Sequence, residues 1–210
     1  MRYFYLLILL LTTIAAWRRY PILNQAGKTI VWLVSLTLVS ETVARICALT
    51  VHNNMFVYHI YNPVQFFMIC MFFNYSVAQF ARKNIGFYIG AAGVVVGILN
   101  TVLLQPIMTF NSYYLLFEGL MIILLSLYSF YQILIKEDDY EIIKNPNFLF
   151  TALMLVFWSF SYVFWGMKDY LDVLLSSGYH YKFLQLLVIA FYSSFLYIFI
   201  NYNRLIKKDE

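Results

Sequence analysis

Seven apolar stretches follow one another along this chain, and most are about 20 residues long, the length that crosses the hydrocarbon core of a membrane as a helix. Hydrophobic residues make up 63% of the sequence and charged residues only 11%, whereas a soluble domain is about one quarter charged. The alternating segments of ~10 residues that build a membrane β-barrel are not seen. The sequence therefore predicts an all-α, polytopic membrane protein in which residues 1–210 form a single seven-helix transmembrane domain. The predicted spans are 3–17, 29–50, 56–80, 85–105, 111–135, 148–167 and 182–202.

The basic residues between the spans indicate how the chain is oriented. If the N-terminus lies outside, ten Lys and Arg residues fall in cytoplasmic segments and three fall outside, as the positive-inside rule requires. The sequence thus predicts one helix plus three helical hairpins, with the C-terminus cytoplasmic, as a multi-pass protein of a cell membrane such as the bacterial inner membrane. A cleaved signal peptide over the first span is the alternative, but it would leave Arg18, Arg19 and Lys28 outside.

Two residue spacings within the spans bear on helix packing. Span four carries two small-xxx-small pairs, which predict a close approach to another helix: Gly86/Gly90 and Gly93/Gly97. In spans three and five a tyrosine precedes a Gln or Glu by four residues, and the two spans are offset by 53 residues: Tyr61/Gln65, Tyr75/Gln79, Tyr114/Glu118 and Tyr128/Gln132. This offset indicates an internal repeat of one hairpin, an arrangement known from transporters. Coincidence in a tyrosine-rich chain is the alternative.

Away from the span ends, three Asp, Glu, Lys or Arg side chains lie inside the predicted spans, namely Glu41, Arg45 and Glu118. A charge within a membrane span is costly and marks a functional site by default. Glu41 and Arg45 are four residues apart and share a helix face, so an ion pair that satisfies itself is the alternative reading. With the orientation above, these residues and most of the polar ones fall in the outer half of the membrane, which predicts an outward-facing polar pocket. The predicted ligand-binding residues are Glu41, Arg45, His59, Tyr61, Asn62, Gln65, Tyr114, Glu118, Tyr162 and Gln185.

Sequence motifs reduce the number of possible functions but do not identify a ligand. The sequence contains no nucleophile elbow, no glycine-rich phosphate loop and no metal-ligand spacing. Neither a cofactor nor a metal is therefore predicted, and His52 and His59 are not interpreted as metal ligands. The basic residues flank the spans, so the lipid bilayer is the predicted partner and nucleic acid is not. The number and orientation of the predicted spans resemble those of rhodopsins and heptahelical receptors. The resemblance is limited to topology, because residues 188–195 contain no lysine that could hold retinal.

Three functions fit this pattern. The first is a receptor or sensor that binds a small or lipid-like molecule in the outer half and signals through a separate cytoplasmic or membrane partner. The second is a small-solute transporter, in which Glu118 could carry a proton. The third is an intramembrane enzyme that acts on lipid, with Glu41 or Glu118 and His59 as acid and base. The one-sided polarity favours the receptor, because a transporter also needs a polar route through the inner half.

Overall fold

Helices account for all the regular structure in the computed structural model, which describes residues 2–136, 144–174 and 179–206. The described residues contain no strand, so the predicted all-α class is confirmed. The predicted inner loop at 137–143 and the last tail residues, 207–210, lie outside the described residues. The helices are α1 (Arg2–Arg19), α2 (Gln25–Thr50), α3 (Met55–Ser76), α4 (Ala78–Lys83), α5 (Ile85–Leu99), α6 (Ser112–Lys136), α7 (Pro146–Gly166), α8 (Lys168–Leu174) and α9 (Tyr179–Ile206). A 3₁₀ turn, Tyr20–Ile22, follows α1, and a π-helical turn, Asn100–Leu104, extends α5.

Six of the described helices are long and apolar enough to cross a membrane, by length and composition. They are Gln25–Thr50, Met55–Ser76, Ile85–Leu104, Ser112–Ile135, Pro146–Gly166 and Tyr181–Leu205, and each overlaps one of the predicted spans. Many large apolar side chains on them are exposed, among them Val102 and Leu103 at 72% and 70%. Exposed apolar surface of this extent suits contact with lipid and not with water. Helix α1 coincides with the first and shortest predicted span and carries arginines at both ends.

The chain groups into two compact units. One unit comprises Ile22–Glu118, in which α3 packs along both α2 and α5. The other comprises Met1–Pro21 with Gly119–Glu210, in which α9 packs along both α1 and α7. Within this second unit Arg19 at the end of α1 donates hydrogen bonds to the backbone carbonyls of Phe199 and Ile200, at 3.2 and 3.0 Å. The single domain over 1–210 stays a prediction.

Asparagine side chains set several helix ends. The Asn24 carboxamide oxygen accepts from Gly27 N at 2.7 Å and caps the start of α2. Asn145 caps α7 in the same way, with Pro146 at the first helical position, where a missing N–H costs nothing. The turn between α2 and α3 contains His52 in a left-handed conformation, φ 59°, which histidine adopts more readily than most residues. The two caps place the starts of α2 and α7 at Gln25 and Pro146, four and two residues before the predicted spans.

Helix α3 ends earlier than the sequence predicts. The predicted span 56–80 is interrupted at Val77, whose backbone is extended (φ −107°, ψ 111°), and α4 then leads to a left-handed Asn84. The Asn74 carboxamide oxygen accepts from Gly86 N at 3.1 Å, which joins the end of α3 to the start of α5. The break therefore turns the chain back so that α5 runs along α3.

The glycine face of α5 allows that contact to be close. A methyl group placed on Gly86 would collide with the backbone carbonyl oxygen of Cys70, and one on Gly93 would collide with the ring of Phe66. A methyl group on Gly90 would lie 2.9 Å from the Phe67 ring. The close approach that the small-xxx-small pairs predict is thus observed between α5 and α3.

Candidate functional site

The carboxyl group of Glu118 is the polar group of the unit Ile22–Glu118 whose burial costs the most free energy. Glu118 lies in the second turn of α6 and is 0% exposed. Within the described part of the chain, no hydrogen-bond partner reaches either of its carboxylate oxygens. A buried polar group without a partner costs free energy, and a buried carboxylate costs the most. This group is therefore the first candidate for contact with a ligand.

Two buried side chains are close enough to Glu118 to interact with it electrostatically, Tyr114 and Cys70. Tyr114 lies one turn earlier on α6, on the same helix face, and is 1% exposed. Cys70 belongs to α3 and carries a free thiol. The Tyr114 hydroxyl also lacks a hydrogen-bond partner among the described residues, so it is not bonded to the neighbouring carboxylate. Two groups with unused hydrogen-bonding capacity, Glu118 and Tyr114, thus lie close to the thiol of Cys70.

Aromatic rings pack against one another beside Tyr114 of this cluster. The Phe117 ring lies 5.7 Å from the Phe66 ring and 5.9 Å from the Tyr114 ring, centroid to centroid. A methyl group on Gly97 would come within 3.1 Å of the Tyr114 ring, so α5 also reaches this point. The cluster lies where α3, α5 and the start of α6 meet, and we call it the Glu118 junction: Phe66, Cys70, Tyr114, Phe117 and Glu118.

His59 joins α3 to the segment that follows α5. Its Nε2–H donates to the backbone carbonyl of Thr109 at 2.9 Å, and its Nδ1 lies 2.8 Å from the Thr101 hydroxyl. Thr101 belongs to the π-helical turn, and such turns often occur at functional sites. His59 is 5% exposed, and both ring nitrogens are satisfied. Its role in this structure is therefore to hold the loop before α6, and the loop in turn positions Tyr114 and Glu118.

A second set of polar contacts fixes the same loop. Asn62 donates to the Asn111 side chain at 3.4 Å, and Asn111 donates to the Tyr58 carbonyl at 3.4 Å. Gln105 donates to the Ser112 hydroxyl at 3.0 Å and accepts from Asn100 at 3.3 Å. The side-chain oxygen of Asn100 is buried and has no partner among the described residues. Two separate sets of side-chain hydrogen bonds thus hold the loop, one to the start of α3 and one to the start of α6.

The remaining predicted residues of this unit divide between other contacts. The carboxylate of Glu41 accepts a hydrogen bond from the Tyr58 side chain. Tyr61 is buried and its hydroxyl lies 2.7 Å from that of Thr37. Arg45 and Gln65 are half-buried. The structure therefore brings Tyr114 and Glu118 together and ties His59 and Asn62 to the loop that carries them.

Two predicted residues belong to the other unit. Tyr162 on α7 packs near Gly119, where a methyl group would lie 3.3 Å from its ring, and Gln185 on α9 is half-buried. Several residues that the structure places at the site were not among the predicted ones: Cys70, Tyr58, Thr101, Thr109, Asn100 and Asn111. Polarity near a predicted span end was the only signal in the sequence for these residues, and Cys70, in the middle of its span, had none.

Comparison of this chain with protein-family models, with curated proteins and with solved structures finds no match. Among the described residues, no group of three or more His, Cys, Asp and Glu side chains is arranged to hold a metal ion. The site must therefore be interpreted from its own chemistry.

Proposed function

We propose that this protein is an integral membrane receptor or sensor that binds a small or lipid-like molecule at the Glu118 junction. One observation carries the proposal, the fully buried carboxyl group of Glu118 with no hydrogen-bond partner among the described residues. Apolar residues at positions 118 and 114 would cost less free energy on insertion into the membrane than Glu118 and Tyr114 do. A bound molecule that hydrogen-bonds to their polar atoms would explain why these two side chains are present. The ligand supplies the hydrogen bonds that the described residues do not.

The surroundings of the junction support a binding role. The loop before α6 is held by His59, Asn62 and Gln105 through side-chain hydrogen bonds. Such a network keeps Tyr114 and Glu118 in a fixed geometry, which is what a specific binding site requires. Binding at the start of α6 changes the contacts of the loop, and we propose that a separate cytoplasmic or membrane partner detects this change.

The proposal is tested by native mass spectrometry of the full chain released from nanodiscs made of its own membrane. The wild type should retain a bound molecule, and Glu118→Gln should lose it, because the amide replaces one carboxylate acceptor with a donor. Tyr113→Phe is the matched control, since Tyr113 is next to Tyr114 but 60% exposed. Identical bound molecules on the wild type and on Glu118→Gln would contradict the proposal.

Transport is the second candidate, and the carboxyl of Glu118 favours it as well. No lysine or arginine lies in α3, in α5 or in residues 112–118, so these segments offer the carboxyl no basic side chain. A buried carboxyl of this kind can carry a proton across a membrane. Proteoliposomes with an imposed pH gradient would show proton flux that Glu118→Gln abolishes. A flux that is equal in the wild type, the variant and empty liposomes would exclude proton coupling through Glu118.

For the membrane arrangement we propose seven spans, with α1 as the first, the N-terminus outside and the C-terminus in the cytoplasm of a bacterial inner membrane. The charge asymmetry of ten to three supports this orientation. Under the same proposal the hairpin 29–80 and the hairpin 85–135 are repeats. Gln65 and Glu118 then lie at matching depths.

A further inference from the structure

We propose that the ligand binds the Glu118 junction through a primary ammonium group, with Glu118 and Tyr114 as the hydrogen-bond acceptors. This inference rests on the proposed binding function and names the chemical class of its ligand. A molecule of this class has an –NH₃⁺ group joined directly to an apolar body, as an aromatic or long-chain primary amine does.

The hydrogen-bonding capacity of the junction is that of an acceptor. An ionised carboxylate accepts hydrogen bonds and donates none, and a tyrosine hydroxyl accepts as well as donates. Glu118 thus offers two acceptor oxygens and Tyr114 a third, and none of the three has a partner among the described residues. A primary ammonium carries three N–H donors. The three oxygen atoms of the junction therefore offer at least as many acceptor positions as the ammonium group has donors.

The arrangement of Tyr114 and Glu118 also favours an ammonium ligand. Tyr114 and Glu118 interact electrostatically and share a helix face, yet their polar atoms are not hydrogen-bonded to each other. A group that donates to both oxygens at once would bridge them. An ammonium group does so with charge-assisted hydrogen bonds, which are about twice as strong as neutral ones.

The aromatic rings of the junction distinguish an organic cation from a metal ion. The rings of Phe66 and Tyr114 each pack against the ring of Phe117 at the junction. A ligand cation within ~6 Å of a ring centroid gains from the cation–π interaction, and an apolar body gains from contact with the phenylalanines. A hard metal cation instead takes about six oxygen ligands. The junction offers the two oxygens of Glu118, the Tyr114 hydroxyl and the soft sulfur of Cys70.

The charge of the junction, with Glu118 ionised, also disfavours an anionic ligand. The helical segments that meet there, α3, α5 and residues 112–118, contain no lysine or arginine. A carboxylate or phosphate on the ligand would face Glu118 at short range, and two like charges in a medium of low dielectric repel strongly. A cation is attracted by the same field.

The experiment measures binding of phenethylamine to the full chain in lipid nanodiscs by isothermal titration calorimetry, with empty nanodiscs as the blank. Phenethyl alcohol and hydrocinnamate are the matched neutral and anionic probes. The amine should bind the wild type and Tyr113→Phe with the same affinity. Glu118→Gln should bind about 30-fold more weakly, because it removes one partner of a buried charge pair. Tyr114→Phe should bind about tenfold more weakly, because it removes one hydrogen bond to a charged group.

Each outcome decides the proposal. Binding of the amine that depends on Glu118 and exceeds that of the alcohol and the acid supports it. Stronger binding of the alcohol or the acid overturns the ammonium class but leaves a Glu118-dependent site in place. Sodium binding is measured as a higher melting temperature in NaCl than in KCl that Glu118→Gln abolishes. Sodium binding in place of amine binding overturns the proposal in favour of a metal cation. No binding of the amine to the wild type also overturns it. The proposed receptor function is judged separately by the molecule that co-purifies with the wild type.

Discussion

Replacement of Gly93 by alanine tests how tightly α5 is packed against α3 next to the Glu118 junction. The added methyl group would overlap two carbons of the Phe66 ring, and Phe66 is 0% exposed, so the ring has no free space to enter. Forcing an extra methyl group into such a contact costs roughly 1–3 kcal/mol. The higher helix propensity of alanine offsets roughly 0.5–1 kcal/mol of that cost. We therefore expect a net loss of about 1 kcal/mol in the free energy of unfolding, within a range of roughly 0–2.5 kcal/mol.

Gly119→Ala is the matched control for this change. Gly119 is also inside a helix, but the nearest atom to its added methyl group is a Tyr162 ring carbon at 3.3 Å, a tight contact without overlap. The gain in helix propensity of roughly 0.5–1 kcal/mol applies there too, so Gly119→Ala should be as stable as the wild type or up to about 1 kcal/mol more stable. The assay is unfolding of the purified protein in mixed dodecyl maltoside and SDS micelles, followed by far-ultraviolet circular dichroism.

A double variant separates the steric collision from other causes. Phe66→Leu shortens the ring that the methyl group would strike, so Gly93→Ala should cost less in the Phe66→Leu background. The expected coupling is about 1 kcal/mol, within the range seen for residues in contact. The reasoning is refuted if Gly93→Ala is as stable as Gly119→Ala, or if the costs of Gly93→Ala and Phe66→Leu are additive.

Three further predictions follow from other contacts. His59→Phe keeps an aromatic ring but removes two hydrogen bonds, so it should cost roughly 1–3 kcal/mol in the same unfolding assay, and Thr101→Val about half as much; equal stability of both variants with the wild type would refute the proposed loop anchor. Tyr61→Phe and Thr37→Val should show a coupling of about 0.6 kcal/mol in a double-mutant cycle, the average for hydrogen bonds between membrane helices, and a coupling of zero would mean that the 2.7 Å contact contributes nothing. A cysteine at Asn84, in a background without other cysteines, should resist membrane-impermeant thiol reagents in intact cells, whereas ready labelling would reverse the proposed orientation.

The sequence predicts the helices well because membrane crossing imposes a strong local constraint. Apolar runs of sufficient length can satisfy their backbone in lipid only as helices, so composition alone located six of them. The spacing of Gly93 and Gly97 likewise predicted a close contact, since small residues at that interval expose backbone on one helix face. The break at Val77 was not predicted, because it depends on the contact of Asn74 with Gly86 across the turn.

The candidate site could be predicted only in part. Tyr114 and Glu118 are four residues apart on one helix, so their proximity follows from helix geometry. Cys70 reaches them only through the packing of α3, which no local pattern encodes. His59 was predicted to bind the ligand, but in the structure both of its ring nitrogens bind the chain itself, at Thr101 and Thr109. Contacts of this kind depend on the path of the loop before α6 and are not visible in the sequence.

The most direct test of the binding site is a high-resolution density map of the wild-type protein in nanodiscs of its native lipids, determined by electron cryomicroscopy with a bound antibody fragment as a fiducial. Our account predicts non-protein density within hydrogen-bonding distance of the Glu118 carboxylate and the Tyr114 hydroxyl, lying against the rings of Phe66 and Phe117. A Glu118 side chain that faces lipid, or that hydrogen-bonds to another residue of the chain with no such density beside it, would contradict the account.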